Sequence, residues 1–131
     1  MTDQLQSAVR WLRVSFIAGA VSDGLVGILM LWPDRMGETE FRVPMGLGAS
    51  LMFGWTVLLL WANRRPMERK GVLALTIFPV ITGLLATQIW AAVSGRLSVA
   101  RVLPSVVLCV ALVLLMGLSY WKATRVETRA V

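Results

Sequence analysis

Residues Val14–Trp32 read VSFIAGAVSDGLVGILMLW, and the reading of this stretch decides the fold. At about 1.5 Å per residue, a helix over the run reaches about 28 Å, enough to cross the hydrocarbon core of a bilayer. Its one ionisable residue, Asp23, falls at the midpoint. Ser15, Gly19, Asp23 and Gly27 recur every fourth residue, so in a helix they form one stripe of small and polar groups. A carboxylate at the bilayer centre costs about 2.5–3.5 kcal/mol on insertion scales and marks a functional-site candidate.

The residues before this run, MTDQLQSAVRWLR, are polar to amphipathic and end in Arg10, Trp11 and Arg13. Their charge resembles the start of a signal peptide, and Ala18-x-Ala20 resembles a cleavage site. Only Val14–Ile17 would precede that site as continuous apolar core, however, and a signal core needs about 7–15 residues. The run is therefore expected to be an uncleaved first span, ended by Pro33. After it comes a polar connection with Asp34, Arg35, Glu38, Glu40 and Arg42, read as a solvated loop.

Three further apolar runs follow. The second span is expected over about 44–62, with Pro44 at a first helical position and Gly46, Ser50 and Gly54 as its small-residue face. Asn63–Lys70 is a basic turn. The third span covers about 71–94, with a stripe of Gly83, Thr87, Ala91 and Gly95. Its internal Pro79 frees the Leu75 carbonyl and should kink the helix, and Gly95 is expected as its C-terminal cap. The short connection Gly95–Ser98 forces an antiparallel hairpin with the fourth span, about 99–121, which carries Pro104 near its start. The expected fold is all-α, one compact antiparallel bundle of four transmembrane helices spanning residues 1–131.

Composition agrees. The chain is 57% hydrophobic and 15% charged, with a mean hydropathy of +0.74, against about 25% charged for a soluble domain. Within 131 residues four spans leave no room for a separate soluble domain. The net charge of +6 lies in short groups at the ends of apolar runs, where it directs orientation, so no nucleic-acid partner is expected. Nine of the 13 Lys and Arg residues fall at the N-terminus, the Arg64–Lys70 turn and the C-terminal tail, and four fall in the other two connections. That bias predicts both termini in the cytoplasm. Trp11, Trp61 and Trp121 would mark one membrane interface, and Trp32 and Trp90 the other.

Several chemistries are closed. With no histidine and one cysteine, the chain can build neither a histidine-based zinc site nor a bis-histidine haem site. A C-x-x-C pair and a Ser-His-Asp triad are equally excluded. No cofactor, metal or catalytic residue is expected, and Cys109, inside an apolar run, reads as a buried structural thiol.

The small-residue stripes Ser15/Gly19/Gly27, Gly46/Gly54 and Gly83 are read first as helix-packing faces, with a homo-oligomer surface as the alternative. Asp23 is either interhelical glue or a proton- or cation-binding site. Thr82 lies at similar depth, Thr56 and Trp55 nearer the terminal side, and Ser50 nearer the opposite side, so these are its candidate partners. Arg64, Arg65, Arg69 and Lys70 are expected to meet anionic lipid headgroups.

The stretch GWTVLLLWANRRPMERKGVLALTIFPVITGL, Gly54–Leu84, resembles small four-span bacterial membrane proteins of unassigned function, and the general layout is similar to the broad DoxX-like group. The resemblance implies a bacterial inner-membrane protein and carries over no functional residues. The layout is also similar to the small multidrug resistance transporters, which have four spans and an essential acid in the first. Asp23 matches that position loosely, since that family's acid is a glutamate. The nine-to-four charge bias argues against their dual topology. The sequence therefore leads to a non-enzymatic packing or assembly module, with a small proton- or cation-coupled transporter using Asp23 as the alternative.

Overall fold

The computed structural model describes residues 2–32 and 42–128. Asp34, Arg35, Glu38 and Glu40, together with Pro33 and Arg129, lie outside the described residues. Four helices are long and apolar enough to cross a membrane. They are α1 (Thr2–Met30), α2 (Arg42–Asn63), α3 (Gly71–Val93) and α4 (Val99–Thr128). Four consecutive antiparallel spans put both chain ends at one end of the bundle, here called the terminal end.

The helices do not pack in a closed square. α1 packs against α2 and α4, and α4 packs against α3, while α2 and α3 share little surface although they are consecutive. The line of contact therefore runs α2–α1–α4–α3. A hydrogen bond bridges its two ends: Trp55 Nε1 donates to Thr76 Oγ1 at 3.1 Å, and Thr76 in turn donates to the Val72 carbonyl at 2.8 Å. Thr76 is buried, so donor and acceptor capacity of its hydroxyl are both used, as burial away from water requires.

The apolar core is weighted toward the terminal end. Leu12, Phe16 and Ala20 of α1 meet Leu59 and Ala62 of α2, Leu73 of α3, and Leu112, Met116 and Ala123 of α4. Toward the opposite end the packing thins, and the segment Thr82–Val93 of α3 contains no buried residue.

Two features of α3 follow from local chemistry. The helix is interrupted at Phe78, whose backbone is extended (φ −129°, ψ 116°), and the Phe78–Pro79 peptide is cis. A residue before proline is driven out of the helical region by the pyrrolidine ring, so the break falls one residue before Pro79. At the far end Gly95 adopts φ +70°. Its N–H donates to Ala92 O and the Arg96 N–H to Ala91 O, at 3.1 and 3.0 Å, the paired bonds of a Schellman cap.

α1 and α4 run well past the apolar stretches expected from sequence. The polar residues before Val14 continue α1 back to Thr2, and those after Trp121 continue α4 to Thr128. The two extensions lie against each other, burying Ala8 and Ala123.

Candidate functional site

The α1 stripe lands where three helices meet. A Cβ on Gly19 would sit 2.6 Å from Met116 Cε and 3.0 Å from Leu59 Cδ1, so the glycine makes room for both side chains where α2 and α4 close on α1. Gly27 receives the Phe53 ring and Met52 in the same way, at 3.0 and 3.3 Å from the would-be Cβ. Ser15 is fully buried and meets Ser119 of α4, their hydroxyls 2.7 Å apart. Ser119 Oγ also lies 2.8 Å from Leu115 O and 3.2 Å from Trp11 O. The two hydroxyl protons thus have acceptors on both helices, a polar clamp inside an apolar seam. Ser119 was not singled out from sequence. A single serine in the run LLMGLSYW carries no periodic signal, and only its depth opposite Ser15 gives it meaning.

The stripes on α2 and α3 are placed differently. Nothing lies within 4 Å of a Cβ built on Gly46, Gly54 or Gly83. These glycines touch no other helix among the described residues. Ser50, between Gly46 and Gly54, is exposed and donates to Gly46 O of its own helix at 3.1 Å.

Asp23 continues the Gly19 face one turn farther from the terminal end. Cys109 of α4 is buried, and Gly24, next to Asp23, faces Thr56 of α2, 3.7 Å from the would-be Cβ. Asp23 Oδ2 is buried, and no protein group among the described residues donates to it. The donors named as its partners are committed elsewhere. Thr56 donates to Met52 O at 2.9 Å, Thr82 to Pro79 O at 3.3 Å, Ser50 to Gly46 O, and Trp55 to Thr76. The reason is general: a Ser or Thr hydroxyl on a helix reaches the carbonyl three or four residues back without help from any neighbour. Among the described residues no three His, Cys, Asp or Glu side chains gather as a metal site.

No family model, curated protein or solved structure matches this chain.

The basic turn is partly self-satisfied. Arg69 donates to Trp61 O at 2.5 Å and lies over the Trp61 ring, 3.4 Å from its centroid. Lys70 pairs with Glu127 of α4, and Arg65 pairs with Glu68 at 3.3 Å. Arg64 is exposed. Further cation–π pairs join Lys122 to Trp11 and Arg125 to Trp121, at 4.2 and 3.7 Å, with Arg96 over Trp90 at 4.5 Å toward the opposite end. Every one of these indoles stands near an end of its span with a cation on its face, an arrangement suited to the headgroup layer.

Proposed function

We propose that this chain is a non-enzymatic, multi-pass protein of a bacterial inner membrane that works by assembling with a second copy of itself through α2. Both termini face the cytoplasm, as the nine-to-four distribution of Lys and Arg favours. The observation that carries the reading is the contrast between two stripes of the same design. The glycines of α1 are filled by Leu59, Met116 and Phe53, while Gly46 and Gly54 on α2 meet nothing. In its most apolar stretch α2 is also the least buried of the four spans. A small-residue face with its one hydroxyl satisfied internally admits a neighbouring helix at close range, and close approach is a main source of helix association in lipid.

Ser50→Cys in a Cys109→Ala background is expected to give a disulfide-linked dimer in native membranes. Gly54→Leu, added to it, should lower the cross-linked fraction as a dimer dissociation constant raised about tenfold would, roughly 1.4 kcal/mol. A chain that stays monomeric in bilayer nanodiscs at high protein-to-lipid ratio contradicts the proposal.

A second reading, a small proton- or cation-coupled transporter, is favoured by the orphan oxygen of Asp23. A carboxyl acting as interhelical glue would accept a bond from a neighbouring helix. One that carries a proton or binds a cation needs a free oxygen. On this reading Asp23→Asn abolishes proton- or sodium-coupled flux in proteoliposomes while expression and oligomeric state are unchanged. Absence of any flux from the parent chain removes it.

A further inference from the structure

The helical extensions of α1 and α4 enclose an open cleft of about 240 Å³ at the terminal end. Gln4 and Ser7 of α1 form one wall, and Trp121, Lys122, Arg125 and Val126 of α4 the other. We infer that this cleft seats the phosphate of an anionic phospholipid headgroup, held by Lys122 and Arg125 from α4 and by the polar side chains of Gln4 and Ser7 from α1.

The charge of the lining comes first. It contains two cations and no acid. Glu127, the acid nearest in sequence on α4, is engaged by Lys70 from the α2–α3 turn. Asp3 borders an adjoining groove beside Gln6 and Arg10 rather than this one. Lys122 and Arg125 lie three residues apart and so share a helix face. Each is held at a defined height by an indole, Lys122 on Trp11 across the helix pair and Arg125 on Trp121 of its own helix. Cations fixed in this way lose less side-chain freedom on meeting a phosphate than free surface lysines or arginines do.

The position of the cleft selects a lipid over a free anion. Trp11 and Trp121 stand where the apolar spans begin, which places the cleft in the headgroup layer. Three residues farther into the span on each helix, Val14 and Leu118 are exposed. An apolar strip therefore continues from the cleft toward the bilayer interior and can carry an acyl chain. A soluble phosphate would use the cations and leave that strip without a role.

The test uses the full-length chain in detergent, titrated with dioleoylphosphatidylglycerol, with retained lipid counted by native mass spectrometry. One tightly held phosphatidylglycerol is expected. Lys122→Gln with Arg125→Gln should weaken its retention about tenfold, while Arg96→Gln with Arg101→Gln, the same charge removed from exposed positions at the opposite end of the bundle, should change it less than twofold. Ser7→Leu fills the cleft and keeps both cations, so it should also release the lipid, and it stands in should the double variant fail to fold. Equal losses from the two double variants, retention unaffected by Ser7→Leu, or equal retention of dioleoylphosphatidylcholine would overturn the assignment. Displacement of the lipid by millimolar inorganic phosphate would assign the cleft to a free anion instead.

Discussion

A Phe16→Ala chain is expected to unfold about 2–3 kcal/mol more readily than the parent in reversible detergent denaturation. Phe16 is fully buried among α1, α2 and α4. In a soluble protein the same change costs about 3–5 kcal/mol, the sum of a water-transfer term and a cavity term. Inside a membrane the transfer term falls away, because the unpacked span still rests in a medium as apolar as the core. What remains is the void, on the order of 100 Å³ at about 24 cal/mol per Å³. A loss below about 0.5 kcal/mol would mean that the seam collapses around the missing ring and that the core is less closely packed than described.

The second large effect belongs to Gly19. Gly19→Ala should be mild, because the nearest atom, the Met116 methyl, ends a flexible side chain that can swing away. Gly19→Leu cannot be absorbed so simply. Leu59 closes the other side at 3.0 Å, and overpacking of this kind costs about 1–3 kcal/mol. Met116→Ala placed on top of Gly19→Leu is expected to restore part of the loss, since the two side chains compete for one volume. If the double variant were no better than the simple sum of the two singles, α1 and α4 would not be meeting at this point.

The four spans were legible from hydropathy because lipid thickness sets their length and leaves about twenty apolar residues as a signature. The helix ends were not. Hydropathy reports where the bilayer stops, while the backbone ladder continues through TDQLQSAVRWLR and KATRVET, sequences that offer no proline or glycine to end it. Gly95, by contrast, was legible to the residue, because a left-handed cap demands that residue type. Pro79 announced an interruption, but its ring acts on the residue before it, so the backbone departs at Phe78.

Spacing told which residues share a face and nothing of what the face meets. Gly19 and Gly46 have the same local signal. One is a point of close helix contact and the other is open, a difference made by which helices become neighbours. The directions in which Thr56, Thr82 and Ser50 donate were hidden for a related reason. Depth along the membrane normal can be counted from sequence, but whether a threonine hydroxyl turns inward or bends back to its own helix cannot. Ser119 and the cleft at Lys122 and Arg125 needed α1 and α4 side by side, a contact between the first and last helices that no local pattern encodes.

That same contact bears on biogenesis. Ser15 emerges from the ribosome more than a hundred residues before Ser119, its partner in the clamp. Through most of synthesis α1 therefore carries an uncommitted hydroxyl and an open glycine notch at Gly19, with α2 alone available to cover them. The α1–α4 clamp therefore closes only after the last helix has been made. A chain released early, with α4 missing, would leave the Ser15 hydroxyl without Ser119 and the Gly19 notch without Met116.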